Sequence, residues 1–211
     1  MNYKSPFLIV RNFLSPLQCE KMVSALKHSL PNTDQRGNPT VTLKGNRLLE
    51  MRTLPLLDEH FPQIEEHYGF QTKTTTPFVY EWYPTGYVGQ KASCEGYSYT
   101  NKRGQGAKWA KNKDYDFTVA VFLNDYNDNE DFDDIYECRG GKLEFPTHDF
   151  GFNPTRGTMV VYPCRPNFVN AVSPIELGDL TMIRFHIIAE ETFNYDMENY
   201  PGGYREWFTG N

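Results

Sequence analysis

Residues 117–123 read FTVAVFL, and this stretch decides the fold. Phe117, Val119, Val121 and Leu123 fall on one face of an extended chain, and Thr118, Ala120, Phe122 and Asn124 on the other. Side chains alternate across a strand, and here both faces are largely apolar. A strand of that kind is covered on both sides, as in a sandwich. Three further runs follow: Leu143–Phe145, Thr158–Tyr162 and, after a Gly-Asp turn, Met182–Ile188. All are short, rich in β-branched or aromatic residues and bounded by Asn, Asp, Gly or Pro, which marks them as strands. The region 115–186 therefore reads as a two-layered β structure, and any chemistry is expected inside it.

The surrounding composition agrees. A chain of 211 residues is one domain of ordinary size and can bury a real core. Its 14 Tyr and 15 Phe favour strands. A net charge of −6 argues against a protein that grips nucleic acid through its overall field. Cys19, Cys94, Cys138 and Cys164 have no metal-finger spacing and read as reduced thiols of a cytosolic protein. Met1–Pro6 has no signal-peptide character, and no apolar run reaches the length of a membrane span.

Taken in order, Phe7–Phe13 reads as a strand. Ser15-Pro16 then opens a helix over about 16–29, with Ser as N-cap and Pro at the first helical position. Asn32–Gly45 reads as a polar loop. A second helix is expected from Pro55 to His67, with Leu56, Leu57, Phe61 and Ile64 inward and Gly69 as its stop. Thr74–Tyr83 reads as one strand. Lys102, Arg103, Lys108, Lys111 and Lys113 surround Trp109 in a solvated basic loop or hairpin; a clamp for an acidic or nucleic-acid partner is the sharper reading. Asn124–Glu137 is acidic but lacks the calcium-loop pattern, so it reads as a solvated loop. The aromatic tail 191–211, with Tyr195, Tyr200, Tyr204, Trp207 and Phe208, is expected to pack on the domain 1–190 or on a partner.

Several segments in the same order resemble the iron(II)/2-oxoglutarate dioxygenases: FTVAVFLNDY at 117–126, GGKLEFP at 140–146, GFNPTRGTMVVYP at 151–163, NFVNA at 167–171 and GDLTMIRFH at 178–186. The most similar group is the prolyl 4-hydroxylase-like proteins of bacteriophages and cyanobacteria. The resemblance covers roughly residues 75–190. It implies a mainly β fold, a double-stranded β-helix or jelly roll, with two or more helices packed outside. It also implies an iron held by two His and one carboxylate, with positions open for 2-oxoglutarate and oxygen, and a basic residue pairing with the cosubstrate's distal carboxylate.

The sequence departs from that pattern. Ser93 stands where the first His belongs, Glu95 keeps the carboxylate, and Asn167 stands for the distal His. Leu180 holds the usual place of the basic residue, which leaves Arg184 as the cosubstrate candidate beside Tyr83. His186 shares the strand face of Arg184 and is a candidate replacement ligand, against the blander reading of a satisfied core histidine. With two imidazoles missing, no iron and no cofactor are expected. The first reading is a dioxygenase fold that has lost iron-dependent catalysis and serves binding or assembly, with a protein partner, self-assembly or a small dicarboxylate as occupant. A phage source would place it in the host cytoplasm or the virion. The alternative is an active 2-oxoglutarate-dependent protein hydroxylase using iron at an atypical site. A nucleic-acid-acting relative using 102–113 ranks third.

Overall fold

The computed structural model describes residues 5–27, 32–33, 39–42, 47–89, 91–102, 106–129, 132 and 135–191. The stretch that decided the sequence reading forms the strand Phe117–Phe122, every residue of which is buried. It lies in the middle of an eight-stranded sheet. The order across that sheet is Leu8–Val10, Met159–Pro163, Phe117–Phe122, Leu180–Ala189, Val79–Tyr83, Pro39–Thr42 and Asn32–Thr33. Thr72–Thr75 pairs with the far end of Leu180–Ala189. The pairings in this sheet are antiparallel.

Alternation along these strands sends apolar side chains into two separate cores. On one face Phe117, Val119, Val121, Met159, Val161, Ile183, Phe185 and Ile187 pack against Cys19, Met22, Val23, Leu57, Ile64 and Tyr68. Those partners come from two helices, α1 (Pro16–Lys27) and α2 (Arg47–Tyr68). On the other face Ala120, Phe122, Val160, Tyr162, Leu180 and Met182 meet Cys138, Leu143, Phe145, Val172 and Ile175. These belong to two three-stranded sheets. One runs Ile175–Gly178, Glu137–Gly140, Asp125–Tyr126, and the other Phe150–Phe152, Leu143–Phe145, Ala171–Val172. The result is a jelly-roll-like sandwich with both helices on one outer face, as the sequence predicts.

Several boundaries differ. The helix expected to begin at Pro55 begins at Arg47 and carries Pro55 and Pro62 inside it. A proline inside a helix costs one backbone hydrogen bond, and here burial of Leu57 and Ile64 outweighs local punctuation. Its stop at Gly69 is as read: φ is +74°, and the Gly69 N–H donates to the Glu65 carbonyl at 2.7 Å. The N-terminal strand is shorter than Phe7–Phe13, covering Leu8–Val10. Asn32–Gly45 is not all loop, because Asn32–Thr33 and Pro39–Thr42 extend the large sheet. The single strand expected over Thr74–Tyr83 is two, Thr72–Thr75 and Val79–Tyr83, interrupted at Pro77, which has no N–H to give the ladder. The acidic stretch contains Asp125–Tyr126 and leads into Glu137–Gly140. The basic stretch is a hairpin of Tyr97–Lys102 and Gly106–Lys111. The aromatic tail lies outside the described residues, apart from Glu191. Among the described residues no helix is long and apolar enough to cross a membrane.

Candidate functional site

The central strand Leu180–Ala189 places Leu180 and Met182 in the inner core. By the same alternation Arg184 and His186 come to the inner face, where the sandwich opens into a cavity of about 520 Å³. Arg184 faces Ala120 on one neighbouring strand and Val79 on the other. The small Ala120 side chain leaves room for a guanidinium. Val79 and Glu81 line the same cavity, as do Ser93, Glu95, Tyr97, Lys113 and Tyr115.

Arg184 is buried, and its Nε and Nη1 donors are taken by the protein itself. Nε donates to Glu81 Oε2 at 2.9 Å, and Nη1 donates to Glu95 Oε1 at 2.7 Å and to Asn170 Oδ1 at 2.9 Å. Nη1 also reaches the Tyr162 hydroxyl at 3.4 Å, and Nη2 faces the Met182 sulfur at 3.8 Å. The Asn170 amide in turn donates to Glu95 Oε2 at 3.3 Å. Tyr83 donates its hydroxyl to Glu81 Oε2 at 2.8 Å. Burial opposes the charge on Arg184, but Glu81, Tyr162 and Glu95 outweigh it and hold its pKa well above the ordinary value. Burial, with Glu81 beside it, pushes the Tyr83 phenol well up, so it stays a donor.

Ser93 and Glu95 do not lie on a regular strand. Ser93 is tied by an isolated bridge to Asn170, each backbone N–H donating to the other's carbonyl at 2.9 Å. Cys94 points its thiol at Cys164, with the sulfurs 3.9 Å apart. Asn167 is not the residue that meets Ser93 and Glu95. It lies in the short 3-10 turn Pro166–Phe168, and its carbonyl is 2.8 Å from His148 Nε2. Asn170, three residues later, takes that place. His186 stacks on Tyr115 with centroids 4.1 Å apart, and its Nδ1 lies 3.2 Å from the Thr118 hydroxyl. Glu81 was missed by sequence reasoning, because a carboxylate alternating with the aromatic Tyr80 and Trp82 reads as a solvated position on the polar face of a strand.

No family model and no curated protein matches this chain. Solved structures do. A viral collagen prolyl hydroxylase from Paramecium bursaria Chlorella virus-1, in its 2-oxoglutarate complex, superposes with a TM-score of 0.64 at 16% identity over 88% of this chain and 96% of the other. A prolyl-4-hydroxylase from Pseudomonas putida gives 0.63 at 12% identity, over 89% and 94%. A prolyl hydroxylase from Trichoplax adhaerens, bound to a hypoxia-inducible-factor peptide fragment, gives 0.66 at 16% identity, over 88% and 84%. The chain has the prolyl 4-hydroxylase-like dioxygenase fold. Identities this low establish the architecture, and the chemistry rests on the residues themselves.

Those residues do not fit an iron(II) centre. Such a centre needs imidazole and carboxylate donors on one face of the metal. Here Glu95 gives its oxygens to Arg184 and Asn170, and a fixed guanidinium stands 2.7 Å from the carboxylate. Ser93 and Asn170 offer neutral oxygen or amide groups. Among the described residues no three His, Cys, Asp or Glu side chains are grouped to hold a metal ion.

Proposed function

We propose that this chain is a non-catalytic protein built on the prolyl-hydroxylase fold, whose cavity serves binding or assembly. The observation that carries the reading is the Arg184–Glu95 contact of 2.7 Å. A guanidinium in that position uses the carboxylate that would have to hold iron, and it also commits the cation that would have to hold 2-oxoglutarate. Glu81 closes on the same guanidinium from the other side. A dicarboxylate at Arg184 therefore has to share a guanidinium that already serves two internal carboxylates. The remaining framework is a walled, half-polar cavity at the mouth of a rigid sandwich, a common form for a binding site. A peptide-type partner fits a fold whose Trichoplax example is bound to a peptide fragment.

The test is metal analysis of protein reconstituted anaerobically with iron(II), paired with a succinate-release assay on denatured proteins and peptides. The expected result is no stoichiometric iron and no succinate above the protein-free control. One equivalent of iron with succinate release would establish the active-hydroxylase alternative.

A further inference from the structure

We propose that the hairpin of Tyr97–Lys102 and Gly106–Lys111 is a second binding surface, beside the cavity, and that it takes a single strand of nucleic acid through base stacking and phosphate contacts. The aromatic pair comes first. Tyr99 and Trp109 are directly opposed across the two strands, so their side chains share one face. Their rings meet edge to face with centroids 5.2 Å apart. In such a pair one ring offers only its edge, and its flat faces stay available to a third partner. Tyr99 is 59% exposed and Trp109 37%. The two strands form a sheet of their own, and neither ring belongs to the two cores.

Charge is the second observation. Residues 97–113 hold Lys102, Arg103, Lys108, Lys111 and Lys113 and no Asp or Glu, in a chain whose net charge is −6. Lys108 precedes Trp109, and Lys111, two residues beyond it, opposes Tyr97 on the same face. Lys111 pairs with Asp114 at 3.0 Å, but that carboxylate is 87% exposed, so the pair costs little to open. Lys113 lies over the Tyr115 ring and Arg165 over the Tyr97 ring, so the stacking surface consists of Tyr99 and Trp109 alone.

The segment has no Val, Leu, Ile, Met or Phe to sink into acyl chains, which argues against a lipid surface. An acidic peptide would use the lysines and leave both rings without a role. In a duplex the base faces are already covered by their neighbours. A single strand uses rings and cations together, because every base has a flat face and every phosphate a charge.

The experiment is fluorescence anisotropy of a labelled deoxythymidylate dodecamer titrated with the full chain. The competitors are a uridylate dodecamer, an abasic dodecamer of the same charge, a thymidylate–adenylate duplex, a polyglutamate peptide and phosphatidylserine vesicles. Saturable binding of thymidylate is expected, matched by uridylate, because neither contact uses the sugar. The other four competitors are expected to bind about tenfold more weakly or worse. Raising KCl from about 50 to about 200 mM should weaken binding roughly tenfold or more. Trp109→Val keeps a strand-forming residue without a flat face and should cost about tenfold, whereas Trp109→Phe should restore most of the loss. If Trp109→Val disturbs the amide spectrum of the hairpin, Tyr99→Val reads the same contact from the other strand. Lys108→Gln with Lys111→Gln should weaken binding and lessen its salt dependence.

No saturable binding, equal binding of the abasic strand, duplex, peptide or vesicles, a tenfold gap between thymidylate and uridylate, or affinity that survives both valine changes would overturn the inference. The iron and succinate measurements above are independent of all of these.

Discussion

Arg184 and Glu95, 89 residues apart in the chain, meet with 2.7 Å between Nη1 and Oε1. The contact ties the central strand to the segment that also carries Ser93. Removing the cation leaves the half-buried carboxylates of Glu81 and Glu95 without their guanidinium partner, which is far costlier than never having had the pair. Arg184→Met is therefore expected to lose about 3–5 kcal/mol of unfolding free energy. The triple change Arg184→Met, Glu81→Gln, Glu95→Gln should recover most of it. Urea denaturation of the single and triple variants decides, and equal losses in both would mean that the ion pairs are not the source.

His148 sets a pH dependence of stability. Burial pushes its pKa down to about 4 from 6.5, only partly offset by its hydrogen bond to the Asn167 carbonyl. The unfolded chain then binds more protons than the folded one between these values, so stability falls as pH drops from above 6.5 toward 4. The loss from this group is about 3 kcal/mol across that window. His148→Gln should flatten this part of the profile, as measured by urea midpoints at pH 7 and pH 4.5. An unchanged slope would assign the acid sensitivity to the carboxylates.

The thiols should be silent in the folded protein. Cys19, Cys94, Cys138 and Cys164 are all buried. Burial pushes Cys19 and Cys138 up to about 12, and the contact with Cys164, together with burial, pushes Cys94 higher still. At pH 8 a disulfide reagent that consumes thiolate is expected to find none in the native state and four in denaturant. Fast reaction of even one native thiol would contradict the packing around it.

Gly157 holds the turn before Met159–Pro163 against the start of α1. Its φ is +74°, and a Cβ there would lie 2.0 Å from the Leu14 carbonyl oxygen. Both the left-handed backbone and the close approach exclude a side chain. Gly157→Ala should cost about 3 kcal/mol or more, read as a lowered melting temperature. A loss below about 1 kcal/mol would mean that the turn can shift as a unit.

The fold was legible because its central strand states both of its environments. Phe117, Val119 and Val121 belong to the helix-side core, and Ala120 and Phe122 to the inner one, as the alternation of FTVAVFL requires. The same period placed Arg184 and His186 on one face. What alternation could not supply was the register of irregular chain. Asn167 and Asn170 are separated by the end of a 3-10 turn, and no periodicity runs through Pro166–Phe168 to say which asparagine faces Ser93. Glu81 was hidden for a related reason. A carboxylate between apolar neighbours looks like a solvated position until the strand pairing sets it two residues before Tyr83 and beside Arg184. Pro55 misled in the opposite way, because a proline suited to the first turn of a helix sits inside one whose buried face holds it there.

That register correction yields the sharpest engineering prediction. Ser93 and Asn170 exchange both backbone hydrogen bonds, so they form a directly opposed antiparallel pair with close Cα positions. Histidines introduced at these two positions stand beside Glu95, giving two imidazoles and a carboxylate. Histidine at 167 does not, since that residue belongs to the Pro166–Phe168 turn and meets His148. The guanidinium still competes for Glu95, so its removal is part of the design. The variant Ser93→His, Asn170→His, Arg184→Leu is expected to bind one equivalent of cobalt(II) or nickel(II) at micromolar concentration, with Glu81 supplying a nearby second carboxylate. Ser93→His, Asn167→His, Arg184→Leu is expected to bind at least tenfold more weakly. Visible absorption of the cobalt-loaded proteins, with equilibrium dialysis for stoichiometry, separates them. Equal affinity in the two variants would mean that Asn167 can reach the cavity, and that the pairing of Ser93 with Asn170 does not set the geometry of the site.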